Sequence, residues 1–148
     1  MNKQNPIVLV IIFILTGCSS SMVELGINNG LLTPCPKTPN CVNSQATDKK
    51  HFIQPIKFIG TLKQAKDRLL TILKTWKRTK IVIIQENYIR AEFSSKVFRF
   101  VDDVEFYFPI TKTEEVIIHI RSASRVGQSD LGVNRKRIEQ IRSELNSP

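Results

Sequence analysis

The chain has no apolar run long enough to cross a bilayer. The longest, IVLVIIFIL at residues 7–15, has nine residues, where a spanning helix needs about twenty. Histidine occurs twice and cysteine three times. A zinc site would therefore have to draw on His51 or His119 together with a cysteine pair. No phosphate-binding loop, metalloprotease helix or nucleophile elbow is written in the chain. Internal repeats and a second linker are also lacking. These absences exclude the enzyme classes that announce themselves by short motifs, and they lead us to expect no cofactor and no metal.

What is present begins at the N-terminus. Lys3 precedes the apolar run, which has the length of a signal-peptide core. Leu15-Thr16-Gly17-Cys18 then resembles the lipobox of bacterial lipoproteins. The resemblance implies acylation of the Cys18 thiol, cleavage before Cys18 and acylation of the new amino group. Small residues at Thr16 and Gly17 open the backbone to a peptidase, and several acyl chains anchor a protein stably where one does not. Ser19 follows, with no Asp at that position, which by the same resemblance implies the outer membrane, facing the periplasm. The expected organisation is a signal peptide over residues 1–17, a lipid-anchored tether over 18–30 and one domain over 31–148.

The side-chain balance is +9, and Lys3 is the only charge lost with the signal peptide. In an exported protein a basic surface points away from nucleic acid. It points toward anionic lipid, lipopolysaccharide or a wall polymer, with a protein partner as a further possibility and simple solubility as the plainer explanation. Cys35 and Cys41 remain once Cys18 is assigned to lipid. Five residues separate them, against two in a redox pair, so in an oxidising compartment they are expected to form a structural disulfide.

The clearest element is TLKQAKDRLLTILKTWK. Leu62, Ala65, Leu69, Ile72, Leu73 and Trp76 recur at helical spacing, and Thr61 with Gln64 has the spacing of a capping box. Lys63, Lys66, Lys74 and Lys77 form a stripe beside the apolar face, read as a solvated flank or as a basic stripe resting on a membrane. Strand patterns follow: KIVIIQE and YIRAEFS around Asn87 as a hairpin, then VDDVEFYFP and EVIIHIRS in strict alternation. A second helix is expected over residues 133–145, with Leu131, Asn134, Ile138, Ile141 and Leu145 on one face. The expected fold is α+β: a single antiparallel sheet of about four to five strands with two helices on one face.

The polar residues concentrate in two stretches. Asp102, Asp103 and Glu105 lie on one strand. Arg121, Ser122, Ser124, Arg125, Asp130, Asn134 and Arg135 lie in the turn from the last strand to the last helix, read as a loop over residues 122–129 with Ser129 or Asp130 capping the helix. Pairing of these strands would set Asp103 and Glu105 on one face with His119 and Arg121. Asn134, polar on an apolar stripe, is expected to bond the backbone of the Ser-rich loop. Three uses of the residues stay open. They are an ion-paired corner that ties loop to sheet, an anion site built from Arg125, Arg135, Ser122 and Ser124 at a helix start, and acid–base chemistry by Asp103, Glu105 and His119. No residue is assigned a catalytic role.

LTPCPKTPNCVNSQ, FVDDVEF and RSASRVGQSDLGVNRKRI together resemble the three signature blocks of the domain-of-unknown-function 1499 family, over roughly residues 25 to 145. Asn43 and Gln128 depart from that pattern. The resemblance implies one domain and says little about activity. The expected role is a membrane-tethered, non-catalytic binding or scaffold module working through residues 121–135. The alternative is an envelope hydrolase using the Asp103, Glu105 and His119 face.

Overall fold

The computed structural model describes residues 24–111 and 115–147. The expected signal peptide and Cys18 lie outside the described residues. Ten elements follow in order: β1 (Ile27–Asn28), β2 (Leu31–Leu32), β3 (Cys41–Asn43), β4 (Ile56–Ile59), α1 (Leu62–Thr75), β5 (Thr79–Ile84), β6 (Tyr88–Ser94), β7 (Val101–Tyr107), β8 (Glu115–Ser124) and α2 (Val133–Asn146).

The sheet is antiparallel in the order β3-β8-β7-β6-β5, with β4 also on β8; β1 and β2 form a separate two-stranded ribbon. It thus has six strands rather than four to five. β8 is ten residues long, and its outer edge is filled by two short strands, β4 against residues 115–118 and β3 against 121–123. A three-residue strand inside a Pro-rich, disulfide-closed segment carries no readable period.

Alternation decides the faces. Ile89, Ala91, Phe93, Val104, Phe106, Ile118 and Ile120 point to the core, where Leu69, Ile72 and Leu73 of α1 and Ile138, Ile141 and Leu145 of α2 meet them. Trp76 packs edge-on against Phe93 and donates its indole N–H to Glu144, joining the two helices. The capping box of α1 forms: Gln64 N–H bonds Thr61 Oγ1, and Gln64 Oε1 accepts from Thr61 N–H. Gly60 before it sits at φ 139°, where an added Cβ would lie 2.8 Å from Gln64 Oε1 and 2.9 Å from Phe58. Only glycine fits that approach.

The start of α2 is capped by Asp130, one of the two residues expected, but its geometry differs from expectation. Its N-cap is Gly132 in the left-handed region with no side-chain cap of its own. Leu131, expected on the apolar stripe, is 87% exposed at φ 54°. The cap function falls to Asp130, whose carboxylate accepts the N–H groups of Gly132 at 3.0 Å and Asn134 at 2.8 Å. Part of the expected tether is also structured: residues 24–30 lead into the β1–β2 ribbon, and Gly26 N–H bonds Glu105 at 2.8 Å.

Candidate functional site

The sheet register places the candidate residues on two faces. Asp102 pairs with Ser124, Val104 with Ser122, Asp103 with Ala123 and Glu105 with Arg121. Asp102, Ser122 and Ser124 therefore face the helices, while Asp103, Glu105, His119 and Arg121 face the other side.

On the helix face the organiser is Asn134, the second residue of α2 and fully buried. Its amide nitrogen donates to Asn40 O and Ser124 Oγ, each at 3.1 Å, and its amide oxygen accepts from Ser122 Oγ and Arg137 Nη1. The partners are thus serine hydroxyls and one distant carbonyl, not the backbone of the Ser-rich loop. The loop itself starts only at Arg125, because β8 continues through Ser124. Arg137 completes the corner with an ion pair to Asp102 at 2.6 Å, a bond to Ser122 Oγ at 3.1 Å, and its guanidinium 4.7 Å from the centre of the Phe93 ring. Four groups that would each be expensive to bury alone are satisfied together. The Cys35–Cys41 disulfide forms as expected. It holds Asn40, whose side-chain amide reaches Gly127 O at 2.8 Å.

On the opposite face Glu105 is the centre and is fully buried. Arg121 Nη1 approaches one carboxylate oxygen at 3.1 Å, and the Tyr88 hydroxyl donates to the other at 2.7 Å. Burial and the Glu105 charge push the Tyr88 hydroxyl far above its ordinary pKa, so it stays a donor. Arg121 is therefore buried within its strand, not placed at a strand end. Asp103 accepts from Arg125 at 2.7 and 2.8 Å, and Arg125 also pairs with Glu92. The hydrogen bonds to Asp103 and then Glu92 raise the Arg125 pKa further. His119 stacks on Tyr107 and lies 3.1 Å from Ser44 Oγ through Nδ1. That hydroxyl also accepts from Ile120 N–H. Burial pushes the His119 pKa down, toward the neutral ring.

Two expected convergences do not occur. Arg135 turns away and donates to Lys50 O at 3.1 Å, so it shares no site with Arg125. Ser122 and Ser124 are taken by Asn134, and the Gly132, Val133 and Asn134 amides at the helix start are taken by Asp130, so the anion site left open there finds these donors occupied. Arg137, Tyr88, Asn40 and Ser44 were not singled out from sequence. Arg137 was within reach, three residues after Asn134 on the same helix face. The other three depend on contacts across strands that spacing does not reveal. Among the described residues no group of three or more His, Cys, Asp or Glu could hold a metal ion, and no helix is long and apolar enough to cross a membrane.

Comparison with curated proteins finds no match. The three blocks of sequence meet in this structure: CPKTPNC at Asn40, FVDDVEF along β7, and RSASRVGQSD leading into Asn134. Together they build a polar lock with one network on the helix face of the sheet and another on the opposite face. The family described as "Protein of unknown function (DUF1499)" matches over residues 31–145, and the chain belongs to it.

Proposed function

We propose that this protein is a bacterial envelope lipoprotein, anchored through lipidated Cys18 in the outer membrane facing the periplasm, whose domain is a non-catalytic binding or scaffold module. The anchor rests on the order of basic residue, apolar run, small residues and cysteine at residues 3–18. The non-catalytic reading rests on one observation. Both carboxylates an acid–base mechanism would recruit are already committed within the fold, both oxygens of Asp103 to Arg125 and both oxygens of Glu105 to Arg121, Tyr88 and Gly26, while His119 meets Ser44 through Nδ1. An ionised carboxylate held by a guanidinium is a poor base, and it has no open side from which to meet a substrate.

Metabolic labelling with a palmitate analogue in a bacterial host tests the anchor. The wild-type chain should take the label and fractionate with membranes, and Cys18→Ala should lose both. An unlabelled, freely released wild type would overturn the reading. Partners of the module are then sought at the envelope: anionic lipid, lipopolysaccharide, wall polymer or another protein.

A further inference from the structure

The most open chemistry of the domain lies outside the polar lock, in the loop from β6 to β7. Its sequence, SSKVFRF at residues 94–100, alternates cations with apolar residues. Phe98 is 73% exposed, Val97 75% and Phe100 52%. The two phenylalanine rings stack on each other with centroids 5.4 Å apart, so they face solvent as one apolar tip. The loop is a closed turn: Ser95 N–H bonds Phe100 O at 2.8 Å, Phe100 N–H bonds Ser95 Oγ at 2.9 Å, and Arg99 takes φ 53° at the bend. Beside the tip runs a shallow groove of about 400 Å³ lined by Arg78, Thr79, Lys80, Ser94, Ser95, Lys96 and Arg99. Four of these are cations and none is acidic. The acidic residues nearest along the flanking strands, Glu92, Asp102 and Asp103, are turned to Arg125 and Arg137. The neighbouring β8–α2 loop leaves the same end of the sheet, since Arg125 N–H bonds Val101 O, and it adds exposed Val126 and Leu131.

Arg78 donates to Ser94 O, and none of the four cations makes an ion pair among the described residues; a preformed aromatic tip beside them matches one kind of surface, a bilayer with anionic headgroups. The rings enter the headgroup and acyl boundary while the cations meet lipid phosphates. We propose that residues 95–100, with the Arg78, Lys80, Lys96 and Arg99 groove, dock the domain on an anionic phospholipid bilayer as a second membrane contact besides the acylated cysteine. The proposal takes its membrane location from the lipoprotein reading, whereas the contact itself stands on the loop. The two anchors are compatible in reach. Gly26 is tied to Glu105, five strand positions or about 17 Å from Phe100. The six residues from Cys18 to Glu24 can span about 20 Å.

The test uses residues 19–148, which carry the whole described fold and cannot be acylated at Cys18, so it can fail or succeed independently of palmitate labelling. Co-sedimentation is measured with vesicles of phosphatidylcholine alone and of phosphatidylcholine mixed with phosphatidylglycerol, at low and high salt. The wild type should bind only the mixed vesicles and should weaken with salt. Phe98→Ser/Phe100→Ser should weaken binding about tenfold or more. Removing Lys96 and Arg99 should weaken it roughly fivefold for each cation. Ile59→Ser/Ile110→Ser, at the opposite end of the sheet, should bind as wild type. The proposal is overturned by a wild type that ignores the mixed vesicles, or by a Phe98→Ser/Phe100→Ser variant that binds them equally. A micromolar self-association abolished by the same variant would overturn it too, by assigning the patch to a second copy of the chain.

Discussion

Two loops leave the same end of the sheet, and they treat their cations in opposite ways. In the β8–α2 corner Arg121, Arg125 and Arg137 each meet a carboxylate, and Glu105, Arg121 and Asn134 are excluded from water. In the β6–β7 loop Lys96 and Arg99 stand exposed beside stacked aromatic rings. The difference separates two meanings of a basic stretch. A cation that faces a partner across a register-matched strand holds the fold. A cation left beside exposed aromatics, with the acids turned elsewhere, is available to something outside. Variants that attack each loop should accordingly fall apart into stability effects and binding effects.

The largest effect is expected at Glu105. Glu105→Ala leaves Arg121 buried without its counter-charge and strips a partner from Tyr88 and Gly26. Breaking a buried pair from one side costs about 3–5 kcal/mol, enough to unfold many domains of this size. Urea denaturation should show either a midpoint far below wild type or no cooperative transition. Asn134→Ala comes next. It removes one side chain but takes a hydrogen-bond partner from Ser122, Ser124, Asn40 O and Arg137 at once. A loss of about 2–3 kcal/mol is expected, read as a lower midpoint at unchanged slope. A near-neutral Asn134→Ala would mean that the corner is not the lock described.

Much of this was legible in the chain. Strict alternation in β7 and β8 separated Val104, Phe106, Phe108, Ile118 and Ile120 from Asp103, Glu105, His119 and Arg121, because a period of two sends neighbours to opposite faces; it left the register open, and only the fold sets Glu105 opposite Arg121. The helices were legible from apolar spacing and from the Thr61–Gln64 box. The short strand β3 was not: it exists because β8 offers it an edge, which is a tertiary cause. Nor was the split of the polar residues between two sheet faces taken through. Parity alone sets Asp102 with Ser122 and Ser124, yet the stretch reads as a single cluster until Asn134 and Arg137 close over one side. The β6–β7 loop carried its signal in plain view, as alternating cations and phenylalanines, but spacing cannot tell whether those rings fold inward.

Arg125→Ala/Arg135→Ala tests the corner where it is most exposed to solvent. Asp103 would lose its ion pair, but the Arg125 side chain is 45% exposed, so screening limits the loss to about 1 kcal/mol, and Arg135 adds only its bond to Lys50 O. The variant should melt slightly early and bind anionic vesicles no worse than the two lost charges explain. Loss of vesicle binding on the scale of Phe98→Ser/Phe100→Ser would shift the working surface back to the corner.

Closure of the outer face also has a pH signature. Burial holds the His119 pKa below its ordinary 6.5. Above that value the ring is neutral folded and unfolded alike, and the stability it permits is fully present. As pH falls below 6.5 the unfolded ring takes a proton that the folded ring refuses, so stability declines toward the folded pKa. Asp48, held below its usual 3.8 chiefly by its hydrogen bond from His51, titrates at lower pH and does not enter this window. Thermal melts between pH 7 and 5 should show a fall in Tm that His119→Gln makes shallower. Parallel slopes for the two proteins would mean that His119 is open to water.

The smallest effect on stability is expected where the effect on binding is greatest. Phe98 and Phe100 lie outside the core, and their stacking is with each other in solvent. The turn that carries them is closed by the Ser95 backbone and hydroxyl, which the substitutions leave in place. Phe98→Ser/Phe100→Ser should therefore shift the unfolding free energy by no more than about 0.5 kcal/mol while vesicle binding falls. The same melt separates the alternatives. If the variant loses stability on the scale of Asn134→Ala, the rings belong to the architecture after all, and the contrast between the two loops disappears. If Tm holds and binding goes, the exposed rings serve a surface the domain does not contain.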